Sequence, residues 1–223
     1  MKKVLLVVLI TVIFIGVFIS CKPVDISPEA DNSKNNLAES WKSDELLLFS
    51  PAKIGDPADN IDESVLVALL ENTLYANGMI IVGWITSGTG LDLDNNSVYE
   101  TENAVLEYVL VKNIQNMAAL KTNCEAVFSK TFLSSHVYSF LTEGNLPLFV
   151  ENDGKLYYNK NTGGGVGFAP DFSRATVTGK NADSFEIQVP MCTYDDPDGE
   201  LFTFKAIQQN GNWVLNSCYY FQQ

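Results

Sequence analysis

Hydrophobic positions change their spacing several times along the chain. Val4 to Ser20 is an unbroken apolar run behind Met1-Lys2-Lys3. Lys22 to about Asp44 is polar, holds two prolines and has too few apolar residues to bury a core of its own. From Asp62 the spacing becomes helical, with Val65, Leu66, Leu69, Leu70 and Leu74 on one stripe and Asp62-Glu63-Ser64 as an acidic first turn. Met79 to Ile85 is apolar on all sides and reads as either buried helix or buried strand; Gly78 and Gly83 count against helix. Ser87-Gly88-Thr89-Gly90 closes this unit, and Asp92 to Asn96 reads as a polar loop.

The stretch from Ala104 to Val111 is β-branched and short, which predicts a strand. Asn116 to Phe128 predicts a helix, with Met117, Leu120, Cys124 and Val127 or Phe128 inward. Ser129 or Thr131 caps a following helix that buries Phe132, Leu133, Val137, Phe140 and Leu141 and ends at Gly144.

After Gly144 the period falls to two. Leu148 to Glu151 and Lys155 to Tyr158 flank Asn152-Asp153-Gly154, a hairpin signature. Gly163 to Gly167 is a loop and Ala175 to Gly179 a short strand. Ser184–Thr193, Glu200–Gln208 and Asn212–Phe221 predict a three-stranded antiparallel meander. Centring its turns places Met191 opposite Phe204, Val189 opposite Ala206, Ala206 opposite Leu215 and Phe202 opposite Tyr219. Phe185, Ile187, Val189, Met191, Phe202, Phe204, Ala206, Trp213, Leu215 and Tyr219 then share one face. The fold class expected is α+β, with N-terminal helices followed by a C-terminal antiparallel sheet built of the hairpin and the meander. The organisation expected is a leader over 1–20, a tether over 21–44, and one domain over 45–223. Its helical part covers about 60–144 and its β part about 145–223.

The N-terminal run sets the compartment. A basic start, an apolar stretch and the ending Phe18-Ile19-Ser20-Cys21 resemble a bacterial lipoprotein signal, in which a small residue precedes a cysteine that becomes lipidated. Cys21 is the lipid acceptor in this reading. The alternative is an uncleaved anchor helix, because the run approaches the roughly 20 residues that span a bilayer. Both place the domain outside the cytoplasm, attached to a membrane. Cys124, Cys192 and Cys218 remain, so at most one pair can form within the chain. None has Cys-x-x-Cys spacing, which argues against a zinc or redox site. The meander register puts Cys192, Thr203 and Cys218 in one row. The two thiols are then two strand spacings apart, roughly 9–10 Å. That is beyond the reach of about 7 Å for a disulfide, so these two are not expected to pair directly. Pairing of Cys124 with either one stays open.

Charge narrows the partners. The chain has 223 residues, 14 basic and 27 acidic, for a net charge of −13. Without Lys2 and Lys3, 12 basic groups face 27 acidic ones, a net of −15. Nucleic acid and anionic membrane surfaces repel such a chain. One histidine, His136, and one arginine, Arg174, leave little material for histidine-based catalysis.

Five groups of residues are candidates for chemistry or binding. Gly163-Gly164-Gly165-Val166-Gly167 lacks the Gly-Lys-Ser/Thr of a phosphate loop and reads as a flexible connection. Asp92-x-Asp94-x-Asn96 copies the start of a calcium loop, but Ser97 and Asn103 stand where Gly and Glu belong. Asp195, Asp196, Asp198 and Glu200 form a second acidic cluster inside a turn. His136 lies on a helix with no nucleophile pattern beside it. Tyr157, Tyr158, Phe168, Phe172, Tyr194, Tyr220 and Phe221 exceed what one sheet face needs. They read as a binding surface or as a second buried face.

The order of segments resembles a known family. A helix pair over 116–141 precedes Pro147-Leu148-Phe149-Val150-Glu151-Asn152-Asp153-Gly154-Lys155-Leu156-Tyr157. A glycine-containing loop, Ala175-Thr176-Val177-Thr178, and a terminal hairpin with Gly211-Asn212-Trp213-Val214-Leu215 follow. This is similar to secreted bacterial inhibitors of D,L-endopeptidases (the IseA-type family), over roughly residues 60–221. The resemblance implies a non-catalytic protein that binds and restrains a cell-wall hydrolase of the NlpC/P60 type. It carries no site residues across, and no cofactor or metal is expected. Two other readings stand beside it: a lipoprotein with a small-ligand cavity of NTF2-like type, and a hydrolase working through a carboxylate pair.

Overall fold

The computed structural model describes residues 48–49, 52–53, 55–100, 106–143, 147–161 and 167–221. They belong to one compact unit, Ser43–Gln223. The leader, Cys21 and the polar stretch through residue 42 lie outside the described residues.

Helix α1 (Glu63–Ser87) is continuous and 25 residues long. Its middle, Leu70–Tyr75, is a π-helical turn. That wider turn absorbs an extra residue and keeps one buried row in line: Leu66, Leu70, Leu74 and Gly78, then Ile81, Val82 and Trp84. The helix is long and apolar enough to cross a membrane by length and composition. Here its buried row forms part of the domain core. Gly78, which counted against helix, lets the backbone approach its neighbours: a β-carbon there would meet Leu215 Cδ1 at 3.1 Å and Phe128 Cζ at 3.4 Å. Gly88, with φ of 70°, ends the helix in the left-handed conformation.

Two antiparallel sheets follow. In the first, β1 (Leu93–Glu100), β2 (Glu107–Val111), β3 (Phe149–Asn152) and β4 (Lys155–Asn159) lie in the order β1-β2-β4-β3. Asp153 and Gly154 turn the β3–β4 hairpin with φ of 49° and 70°, the two positive angles of a type I′ turn. In the second sheet β5 (Ala169–Pro170), β7 (Ser184–Cys192), β8 (Glu200–Gln209) and β9 (Asn212–Leu215) are neighbours in that order, and β6 (Thr176–Asn181) also pairs with β7. Helix α2 (Met117–Val127) is capped by Asn116, whose Oδ1 accepts from the Ala119 amide at 2.8 Å. Helices α3 (Lys130–His136) and α4 (Tyr138–Leu141) follow, α3 being capped by Ser129. The outer edge of β9 is covered. Trp213 N donates to Ala52 O and Ser129 N to Leu215 O, each at 2.8 Å.

The α+β class holds, and several elements differ from the expectations. Hairpin and meander occupy different sheets, because β4 pairs with β2 through Tyr108–Asn159, Val109–Tyr158 and Leu110–Tyr157. The segment read as a polar loop at 92–96 enters β1, whose register shifts between Asp94 and Val98. The single helix expected after Ser129 is interrupted at Val137, and its last turn ends at Leu141. In the meander, β8 and β9 pair as expected, Ala206 with Leu215. β7 and β8 do not: Met191 faces Glu200, Val189 faces Phe202 and Ile187 faces Phe204. The displacement is an even number of residues, so the inward face survives from Phe185 to Leu215, and only Tyr219 leaves the sheet. β9 stops at Leu215, and Tyr219–Phe221 is a turn of 3-10 helix. Thr203 therefore faces Gln188, and the expected row of Cys192, Thr203 and Cys218 does not form.

Candidate functional site

Cys192 ends β7 and Glu200 begins β8, leaving Thr193 to Gly199 as the connection. The loop is tied internally. Thr193 N donates to Asp196 O, and Asp196 N donates to Thr193 Oγ1, both at 3.0 Å. Gly199 N donates to Asp196 Oδ1 at 3.2 Å. Gly199 has φ of 72°, which few other residues adopt without strain.

A second set of bonds holds the loop from outside. Phe172–Arg174 is a short 3-10 turn packed beside β7. Asp171 starts it: its amide donates to Pro190 O at 2.9 Å, and its Oδ1 accepts from Ser173 N at 3.1 Å. Its Oδ2 accepts from Arg174 Nε at 2.6 Å. Arg174 Nη2 then donates to the carbonyls of Pro197 and Asp198, each at 3.1 Å, and lies 3.2 Å from Cys192 Sγ. The one arginine of the chain thus clamps the far side of the loop onto the end of β7. The Ser173 hydroxyl and the Arg174 guanidinium hold the Asp171 carboxyl below its ordinary range, and its hydrogen bond to Asp171 raises Arg174.

On this frame Tyr194 is fully exposed, at 100 %, and Leu201, the second residue of β8, is 61 % exposed. Asp195, Asp196, Asp198 and Glu200 lie between them in the chain.

The aromatic group sorts accordingly. Tyr158 is in the core. Phe168 packs edge-on against Tyr219 at 4.7 Å, Phe172 meets Tyr75 and Phe204, and Phe221 stands against Phe128. Phe168, Phe172, Tyr220 and Phe221 are a second packed layer over the core; Tyr194 alone of the group is left entirely in water. The arrangement adds Leu201, and it gives the single arginine, Arg174, a place in the site. Their available signals were the isolated Leu in an acidic turn and the single arginine three residues after Asp171.

The remaining candidates are absorbed structurally. Asp92 pairs with Lys112 at 2.9 Å. Asp94 accepts from Asn96 N at 3.0 Å and from Ser97 Oγ at 2.9 Å, which shapes the irregularity in β1. Among the described residues no three His, Cys, Asp or Glu side chains converge as a metal site. His136 stacks on Phe132 with ring centres 4.9 Å apart. Cys124, Cys192 and Cys218 are free thiols, the first and third buried. Cys21 and the glycines at 163–165 lie outside the described residues. A shallow cleft of about 230 Å³ lies between α1 and the C-terminal turn, with Met79, Val82, Thr86 and Tyr220 in its walls.

No protein-family model matches the chain, and no curated protein matches it significantly.

Proposed function

We propose that this chain is a membrane-anchored extracytoplasmic lipoprotein that binds and restrains a cell-wall D,L-endopeptidase of the NlpC/P60 type, without catalysis of its own. The lipoprotein-like Phe18-Ile19-Ser20-Cys21 supports the address, and the order of segments over 60–221 supports the class.

The observation that carries the reading is the packing of α1 against the second sheet among the described residues. Tyr75 of α1 packs edge-on against Phe204 at 5.6 Å, and Leu215 reaches to Gly78. Phe185 and Trp213 fill the sheet face at 5.1 Å. At these places side chains pack between helix and sheet, where an NTF2-like protein would keep its ligand. The cleft beside Tyr220 is below the size of usual ligand pockets, roughly 300–1,000 Å³. Recognition at the outer surface fits this packing, and the acidic character of the chain speeds encounter with a basic partner.

The test is clearance of purified cell wall by a D,L-endopeptidase, followed as turbidity, with and without the soluble chain from Lys22. The expected result is slower clearance at stoichiometric ratios. Undiminished clearance together with no complex on a sizing column would overturn the proposal.

A further inference from the structure

We infer that the end of the β7–β8 hairpin, Thr193 to Leu201, is the docking element, with Tyr194 as an anchor that enters a basic-rimmed cleft on the endopeptidase. This rests on the function proposed above and names the surface that performs it.

Three independent features converge there. The first is apolar exposure. Tyr194 and Leu201 are the two most exposed large hydrophobic residues among the described ones, and they sit seven positions apart on one hairpin end. Val65, Ile80 and Val98, each less than half exposed, are scattered over α1 and β1. Scattered residues of that kind need no explanation, whereas a fully exposed tyrosine on the same hairpin end as an exposed leucine offers an amphipathic anchor. Tyrosine also brings a hydroxyl that can bond at the floor of a pocket.

The second is rigidity. A loop that must be ordered on binding loses affinity to that ordering. Here the backbone on both sides of Pro197 is already fixed, by Thr193 and Asp196 from within and by Arg174 from outside. Asp171 holds the arginine in turn and is itself bound to β7 through Pro190 O. The tyrosine is presented on a frame, as a binding anchor requires.

The third is charge. Asp195, Asp196, Asp198 and Glu200, all exposed, follow the anchor within six positions of the chain, and the cation that holds this loop, Arg174, is paired with Asp171. An acidic loop that carries an exposed aromatic fits a partner cleft with lysine or arginine at its mouth, and disfavours acidic surfaces and anionic wall polymers.

The experiment measures binding of a purified NlpC/P60-type endopeptidase to the soluble chain from Lys22, which contains all of the unit Ser43–Gln223. Tyr194→Ala is expected to weaken the Kd about tenfold or more with no change in thermal midpoint, because the side chain is wholly in water. Tyr194→Phe should recover most of that loss. Asp195→Asn with Asp198→Asn should slow association and flatten its salt dependence. Arg174→Lys should weaken binding although Tyr194 is intact, since a single ammonium cannot hold Asp171 through one nitrogen and the two loop carbonyls through another, as Nε and Nη2 do. Val65→Ser, on α1, should leave affinity unchanged. Wild-type binding that survives Tyr194→Ala undiminished overturns this inference and leaves the proposed function standing. Absence of wild-type binding overturns the proposed function, and the docking element falls with it.

Discussion

Gly199 lies so close to Met191 that a β-carbon at 199 would stand 2.9 Å from both the carbonyl carbon and the carbonyl oxygen of Met191. Backbone cannot yield as the tip of a side chain can, and φ of 72° adds a second penalty for any L residue. Gly199→Ala should therefore cost about 2 kcal/mol or more of folding stability. Urea unfolding checks it; a loss below about 0.5 kcal/mol would show that the loop relaxes freely. If the loop opens without global unfolding, the same variant should lose endopeptidase affinity while Tyr194 is still present.

Ser129 does two jobs from a fully buried position. Its Oγ accepts from Phe132 N at 3.1 Å, capping α3, and donates to Asn216 Oδ1 at 2.5 Å, tying the helix start to the segment after β9. Ser129→Ala removes the cap and leaves an amide and a side-chain oxygen without partners. The expected loss is about 1–3 kcal/mol, and Ser129→Thr should restore part of it. Equal stability of the alanine variant would mean that water replaces both bonds.

These two positions also mark what could be read from the residues alone. The inward set of the meander, from Phe185 through Leu215, was legible because alternation depends only on neighbouring residues in one strand. The β7–β8 register was not, because a shift by an even number leaves the same side chains inward. What decides it is the lopsided Thr193–Gly199 loop, and that shape comes from Gly199 packing on Met191 and from Arg174 reaching across 23 and 24 positions. Long-range contacts of that kind leave no periodic trace. Glycines misled in the same way: Gly78 lowers helix propensity locally, yet it is where α1 meets Leu215 and Phe128. Of the candidate site, Tyr194 and the four acids were visible as types. Their exposure, and the clamp that makes them a surface, were not.

The clamp should loosen in acid. The carboxyl of Asp171 is held below its ordinary 3.8, first by Ser173 and then by Arg174. A group whose folded-state pKa is depressed stabilises the fold above its unfolded value, and that contribution is lost as pH falls through the folded one. Between neutrality and about pH 4 the loop should stay fixed, and below that it should release. Proton–nitrogen NMR of the Arg174 Nε–H and the Ser173 amide, both bonded to Asp171, followed from pH 6 to pH 3, should show both moving with one midpoint under 3.8. A midpoint at or above 3.8 would contradict the clamp.

At high pH the buried thiols should set the limit of stability. Burial pushes Cys124 up to about 12, with Glu125 adding to it. Burial likewise pushes Cys218 up to about 12, against the opposing pull of the Tyr220 and Phe221 amides. In the unfolded chain both ionise near 9, so above that pH the unfolded state sheds protons that the folded state keeps. Stability is fully present below pH 9 and falls as pH rises toward 12, by on the order of 1 kcal/mol per pH unit for each thiol. Burial of Tyr75 and Tyr138 raises their hydroxyls too, which steepens the decline above pH 10. Urea midpoints measured from pH 8 to pH 10.5 should fall for the wild type and fall less steeply for Cys124→Ala and Cys218→Ala, whatever each substitution costs at pH 8. The same burial predicts the order of chemical labelling. With a thiol reagent at pH 8, Cys192 should react in the folded protein, while Cys124 and Cys218 react only on unfolding. Fast labelling of Cys124 in the native state would mean that α2 opens readily. Equal pH slopes in all three proteins would mean that the two thiols are not the groups responsible.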